Sequence, residues 1–168
     1  MESIDSQKEV AAATAYENLH VPALFQQWAP RVTQAAQIQP GFRVLDVACG
    51  TGVLARDASR RAGSNGHVAG LDVSSGILVV AKRLASEIEW CKGQAESLPY
   101  EAESFDAVVS QFGLMFFQDP TLALSEMLRV LVPNGRIAIA VWDALEHSAA
   151  YPTEVALLER IVGESGAD

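Results

Sequence analysis

Cysteine is scarce in this chain. Cys49 and Cys91 are the only two in 168 residues, far apart and without C-x-x-C spacing. A disulfide framework or a cysteine metal centre is therefore disfavoured, and two buried free thiols in a reducing, cytoplasmic setting are expected. Long apolar runs are missing too. The longest, Phe112–Phe117 and Ile137–Trp142, are core-sized, well below the roughly 20 residues of a membrane-spanning helix, so no membrane span is expected. The start, Met1-Glu2-Ser3-Ile4-Asp5, lacks a basic region followed by an apolar one, and no leader peptide is expected. Positive charge is in short supply, with 12 Lys and Arg against 21 Asp and Glu and a net charge of −9. That balance argues against a nucleic-acid partner, whose phosphates demand a basic face. Residues 1–94 hold nine basic and nine acidic side chains, and residues 95–168 hold three and twelve. The whole imbalance thus lies in the last part of the chain, where it reads first as a solubilising surface. Internal repeats and low-complexity tracts are absent.

What remains is a chain with 49% hydrophobic residues, long enough to bury one sizeable core. Residues 1–20 are polar and alanine-rich with a helical tendency. Leu24, Phe25, Trp28, Val32, Ala35 and Ala36 recur at helical spacing, with Pro30 breaking or kinking the run. After Pro40-Gly41 short apolar runs alternate with helices. Strands are expected at Arg43–Val47, His67–Asp72, Ile88–Cys91, Phe105–Ser110 and Arg136–Trp142. Helices are expected at Val53–Ala62, from the N-cap Ser74 with Ile77, Leu78, Ala81, Leu84 and Ala85 on one face, from Asp119-Pro120 with Leu124, Met127, Leu128 and Leu131 buried, and at Thr153–Val162. Pro133-Asn134-Gly135 is expected to form a turn. Such alternation means crossover connections and a parallel sheet.

The segment Val44-Leu45-Asp46-Val47-Ala48-Cys49-Gly50-Thr51-Gly52-Val53-Leu54-Ala55 carries the chemistry. A strand enters a turn of small residues that opens a helix, so a ligand can lie against bare backbone. Gly50-x-Gly52-x-x-Ala55 also fits a loose dinucleotide fingerprint, which alone is a weak signal. Asp46 separates the readings. A carboxylate at the end of the first strand repels a pyrophosphate and favours a cation. Asp72 ends the second strand, where an acid accepts hydrogen bonds from ribose hydroxyls. The ligand inferred is a nucleoside with a positively charged tail.

Five ordered motifs then resemble a known family: Leu45–Gly52, Gly70-Leu71-Asp72-Val73-Ser74, Gln94–Tyr100, Ser104–Val108 and Leu128–Gly135. Together they look like the class I S-adenosylmethionine-dependent methyltransferases, in the small-molecule branch that includes ubiquinone and menaquinone C-methyltransferases. The resemblance covers residues from about 40 to 143. It implies an α/β, Rossmann-like doubly wound parallel sheet of strand order 3-2-1-4-5, with an N-terminal helical lid (1–40), a cofactor-binding core (41–143) and a C-terminal helix (144–168) in one domain. The cofactor implied is S-adenosyl-L-methionine, with S-adenosyl-L-homocysteine as product. By position, Ala48, Gly50 and Gly52 would border its methionine part, with Asp46 orienting it. Asp72 would hold the ribose, Val73 would pack near the adenine, and Gln94 and Ala95 would flank the adenine edge. Ser110 and Gln111 would close over the site near the methyl group. Three departures stand out: Ala48 where many members have glycine, Gln94 for the commoner aspartate, and Ile77 for a frequent methionine. None of them opposes cofactor binding.

Methyl transfer from a sulfonium releases a neutral leaving group, so alignment and water exclusion can supply much of the rate. A base is needed only when the acceptor must lose a proton. Tyr16, His20 and His147 are the candidates for a catalytic group, against the plainer reading of surface or packing residues. Phe112, Met115 and Phe116 are candidates for an apolar pocket taking a small-molecule acceptor. No metal site is expected. The family's sheet has seven strands; strands 6 and 7 are expected to be absent here, so the chain is either a fragment of a longer protein or a short form whose fifth strand is an apolar edge where a homodimer could form. A truncated cofactor-binding module without turnover is the alternative function. A nicotinamide dehydrogenase is disfavoured by Asp46.

Overall fold

The computed structural model describes residues 4–144 and 147. The expected helix at Thr153–Val162 lies outside the described residues. Among the described residues five parallel strands form one sheet: β1 (Arg43–Val47), β2 (His67–Asp72), β3 (Glu89–Lys92), β4 (Phe105–Gln111) and β5 (Leu131–Ala140), in the order β3-β2-β1-β4-β5. The doubly wound order expected from the sequence is therefore observed. β1 is buried from Val44 to Val47 because helices cover both sheet faces, which is why Val44, Leu45 and Val47 are apolar without alternation and Asp46 alone interrupts them.

The helices are α1 (Ile4–Ala15), α2 (Ala29–Ala35), α3 (Val53–Ala62), α4 (Ser75–Leu84) and α5 (Pro120–Arg129). Between α1 and α2 the chain forms a wide π-helical segment, Tyr16–Phe25, with Pro22 inside it. One core layer gathers Val32, Ala36, Val44, Leu54, Ala58 and Val109; the other gathers Leu45, Val47, Leu71, Val108, Met127 and Val130. The expected caps are in place: Ser74 Oγ accepts from the Ile77 N–H at 3.4 Å, and Asp119 Oδ1 from the Leu122 N–H at 3.0 Å.

Several expectations need correction. β5 begins at Leu131, which pairs with Phe105, and ends at Ala140, not Trp142. Pro133-Asn134-Gly135 lies inside the strand: the β4–β5 register shifts between Phe105 and Ala107, and Asn134 adopts φ +65°, so the turn residues make a bulge. The apolar run is broken as expected, by a turn between Phe25 and Ala29, and Pro30 lies in the first turn of α2. On α5 the inward positions are Ala123 and Met127, while Leu128 is exposed; on α4 Val80 is buried and Leu84 is not. Cys49 is buried and free, whereas Cys91 is free but only half-buried.

Candidate functional site

At the carboxyl ends of β1, β2 and β4 a cavity of about 610 Å³ opens, beside the point where successive connections leave β1 in opposite directions. Open α/β sheets bind ligands there. The turn after β1 holds three left-handed residues, Ala48 (φ +58°), Gly50 (φ +55°) and Gly52 (φ +87°), of which Ala48 and Gly50 form the cavity floor. Ala48 tolerates this region at a cost of about 1–2 kcal/mol, which glycine would avoid.

The charged lining residues, among those described, are all acidic: Asp46, Asp72 and Glu96. Asp46 is 1% exposed, and neither carboxylate oxygen has a hydrogen-bond partner among the described residues. Burial holds its pKa well above the ordinary carboxylate value; a pull from the Ala55 amide, short of a formed hydrogen bond, opposes this, and the charge on Asp72 adds to it. Asp72 is held by backbone, its Oδ2 accepting from the Gly50 N–H at 2.9 Å and its Oδ1 from the Ser74 N–H at 3.0 Å. Each oxygen keeps a lone pair for a ligand hydroxyl. The turn amide that would meet a phosphate is thus already given to a carboxylate. A site with this donor set fits a neutral nucleoside and a cationic tail, and disfavours a pyrophosphate.

Of the residues expected to touch a cofactor, Asp46, Ala48, Gly50, Asp72, Val73, Gln94, Ala95 and Gln111 line this one cavity. Gly52 does not. A Cβ built there would stand 2.3 Å from Trp90 Cη2, and one built at Gly70 would stand 2.4 Å from Trp90 Cζ3. The second motif glycine therefore makes room for the β3 indole. Ser110 lies behind the cavity wall, fully buried, its hydroxyl without a partner among the described residues. Gln111 donates from Nε2 to the Phe25 carbonyl at 3.1 Å, tying β4 to the π-helical segment.

Tyr16 reaches the cavity; His20 and His147 do not line it. His20 stacks on Tyr16 at 5.7 Å, and His147 Nδ1 lies 3.0 Å from Asp143 Oδ1 on the surface. Burial and the charges of Asp72, Glu17 and Asp46 push the Tyr16 phenol up to about 12, so near neutrality it is a hydrogen-bond donor and not a base. Burial, then the charges of Asp46 and Asp72, raise the Cys49 thiol well above its usual value, which disfavours the thiolate.

The opposite wall is aromatic. Phe112 (φ +57°) stacks on Trp142 at 4.0 Å and 12°, with Phe25 at 5.7 Å and Trp28 edge-on at 6.2 Å. Met115 and Phe116 stand at the rim, 51% and 79% exposed. Phe112, Met115 and Phe116 were expected in a pocket; Phe25, Trp142 and Glu96 were not. Glu96 Oε1 accepts from the Gln118 N–H at 2.7 Å, joining two lining loops. Its place within the Gln94–Tyr100 motif was the available signal for it. Trp142 followed an apolar strand without any such mark. Among the described residues no His, Cys, Asp and Glu cluster could hold a metal, and no helix is long and apolar enough to cross a membrane.

Carboxylates at the ends of β1 and β2, a glycine turn between them and an order of 3-2-1-4-5 define a Rossmann-like nucleoside site. The family model described as "Methyltransferase domain" matches residues 45–139. The demethylmenaquinone methyltransferase of Renibacterium salmoninarum is 42% identical over 114 residues, 68% of this chain and 47% of that protein. The 2-phytyl-1,4-naphtoquinone methyltransferase of Thermosynechococcus vestitus is 36% identical over 125 residues, 73% of this chain and 56% of that protein. Among solved structures, the [4+2]-cyclase SpnF superposes with a TM-score of 0.63 at 30% identity, over 68% of this chain and 44% of that one. A SAM-dependent methyltransferase from Aquifex aeolicus gives 0.70 at 21% identity, over 90% and 87%; it shows the fold alone. The chain belongs to the methyltransferase-domain family, in the class I S-adenosylmethionine-dependent group that resembles quinone-biosynthesis enzymes. It spans about half the length of the curated relatives it matches.

Proposed function

We propose that the protein carries out S-adenosylmethionine-dependent methyl transfer to a small apolar or aromatic acceptor. The observation that carries this reading is the cavity's polarity, with an unpartnered buried carboxylate at one end, stacked rings at the other and no cationic side chain among its described lining. When bound, S-adenosylmethionine supplies an electrophilic methyl group on a sulfonium. Asp46 favours the cationic end of such a ligand through its field in a low-dielectric floor. Asp72 accepts from ribose hydroxyls, Val73, Gln94 and Ala95 flank the base, and the Ala48–Gly50 turn borders the amino-acid end. Phe112 and Trp142 offer an acceptor ring a face to stack on. The segment 1–40 serves as a lid, with Tyr16 and Phe25 as its inner surface; water exclusion follows from its closure. No residue is needed to protonate the leaving group.

The quinone methyltransferase names of the relatives favour a quinol-like acceptor ring. The likeness to SpnF, a [4+2]-cyclase, supports a second reading: a cofactor-binding domain whose fold persists without methyl transfer. A cytoplasmic setting, consistent with two free thiols, and a homodimer through β5, whose Ile137 is 37% exposed, belong to the same proposal. Calorimetric titration with S-adenosylmethionine, S-adenosylhomocysteine and NAD tests the cofactor, and binding of NAD alone would refute it. Mass-spectrometric detection of a 14-dalton gain on dihydroxynaphthalene-type acceptors separates enzyme from binding module, and light scattering tests the dimer.

A further inference from the structure

We infer that Arg56 is a positioning residue for the cofactor site, tying the glycine turn to Glu17 and so setting Tyr16 over Gly50. The inference rests on the S-adenosylmethionine reading above. From the first turn of α3, Arg56 Nη1 donates to the Thr51 carbonyl at 2.7 Å and Nη2 to Glu17 Oε1 at 2.8 Å. The two side chains are 21% and 15% exposed, so the pair lies in a reduced dielectric and outweighs an ordinary surface pair. Glu17 follows Tyr16 in the chain, and fixing its carboxylate fixes the phenol. A Cβ built on Gly50 would stand 3.7 Å from Tyr16 Oη, which places the hydroxyl over the turn that borders the ligand.

The segment needs such an anchor. A π-helical run is rare beyond a single turn, and Pro22 removes one donor from it. Its far end is pinned separately, by Gln111 on the Phe25 carbonyl. Two other α3 residues hold α2 and not the turn: Asp57 accepts from Thr33 Oγ1, and Arg61 Nη2 donates to the Pro30 carbonyl at 3.2 Å. Arg56 is thus distinct from its neighbours on the same helix, because it alone joins the N-terminal segment to the site's own backbone among these anchors. Loss of Arg56 should free Tyr16 and the turn together, and let bound nucleoside escape faster.

The test measures S-adenosylhomocysteine affinity and dissociation rate, together with amide exchange over residues 16–25 and the turn, in Arg56→Met, Arg56→Lys, Glu17→Gln and Arg61→Met. Arg56→Met and Glu17→Gln should each weaken binding about tenfold, equivalent to about 1.4 kcal/mol, mostly through faster dissociation. The double variant should be no worse than Arg56→Met, amide exchange should speed at both segments, and Arg56→Lys should recover most of the loss. Arg61→Met should lower Tm and leave affinity unchanged. Unaltered affinity in Arg56→Met would overturn the inference, as would an equal loss in Arg61→Met, which would reveal plain anchoring. Failure of wild type to bind S-adenosylhomocysteine would overturn the cofactor reading itself, and this inference with it.

Discussion

Replacing Asp46 by Asn should make the ligand-free protein more stable and a poorer binder at once. The carboxylate is 1% exposed, with both oxygens unpartnered among the described residues and a pKa pushed up by burial. Burying an unsatisfied polar group costs about 1–3 kcal/mol, and more when it is charged. The sign follows from linkage. An unfolded Asp titrates near about 3.9 and the folded one higher, so below the unfolded value both are protonated and the residue costs no ionisation energy. As pH rises between the two values the unfolded chain sheds its proton first and stability falls; above the folded value the penalty is constant. Asn keeps the cost of an orphaned polar group and removes only the ionisation penalty, so Asp46→Asn should gain about 1 kcal/mol at pH 7, or roughly 2–4 °C in Tm for a domain of this size, and the gain should shrink toward pH 4. The same change removes a charge that faces a cation, weakening S-adenosylmethionine by about 1.5–3 kcal/mol, roughly ten- to 150-fold. Differential scanning fluorimetry from pH 4 to 8 and calorimetric titration read the two effects. A parallel titration with S-adenosylhomocysteine tells whether the carboxylate faces the sulfonium, which that ligand lacks, or the ammonium, which it keeps. A variant that is less stable at pH 7 and binds as wild type would refute the reasoning.

Other substitutions probe the rest of the site and its supports. Gly52→Ala places a methyl 2.3 Å from Trp90 at φ +87° and should cost about 2–4 kcal/mol in urea unfolding; a loss below about 0.5 kcal/mol would dismiss the packing role. Ala48→Gly relieves a left-handed alanine and should raise stability by up to about 1 kcal/mol; clear destabilisation would count against that strain. Asp57, 7% exposed and held low by Thr33, Arg61 and Arg60 against the effect of burial, supplies stability that is present above its unfolded pKa and lost as pH falls through its lower folded value. Asp57→Asn should thus cost about 1.5–3 kcal/mol at pH 7 and much less at pH 3. Trp142→Ala should weaken an aromatic acceptor while S-adenosylhomocysteine binds as before; equal losses for both ligands would remove Trp142 from the acceptor wall.

Much of the core is legible in the sequence for one reason: a sheet covered on both faces makes its inner strands apolar without alternation, and glycine or Asx residues bracket them. β1, β2 and α3 begin and end where those signals stand, and the Ser74 and Asp119 caps act as their side chains predict. β5 misleads because Pro133-Asn134-Gly135 has the composition of a turn, and a bulge uses the same left-handed backbone as a turn does. Leu84 and Leu128 fit helical spacing yet face outward, because spacing marks a stripe and not which of its margins a sheet covers. In the site, Asp46 and Asp72 are legible because each must end its strand to reach a ligand. The Phe25–Phe112–Trp142 cluster and the Arg56–Glu17 pair are not, since each joins segments whose sequence positions say nothing of their proximity.

Gly52 and Trp90 show how a motif can carry two demands at once. The first glycine of the turn donates its N–H to Asp72 and lies beneath Tyr16, so a side chain there would intrude on the ligand's border. The second lies against the β3 indole, whose Nε1 is held by the Ala85 carbonyl at 2.8 Å. That indole also fills the space over Gly70, two residues before Asp72. The ring therefore packs the β1 turn against β2, and the separation of the carboxylates at their ends depends on it. Asp72 then fixes the turn from the other side through the Gly50 amide. The polar half of the cavity is consequently set by packing beneath it as well as by hydrogen bonds within it. The aromatic half is built from Phe112 just beyond β4, Trp142 two residues beyond β5, and Phe25 of the π-helical segment. The two halves meet at the π-helical segment, where Phe25 of the aromatic wall packs on Tyr16 at 5.5 Å over Gly50.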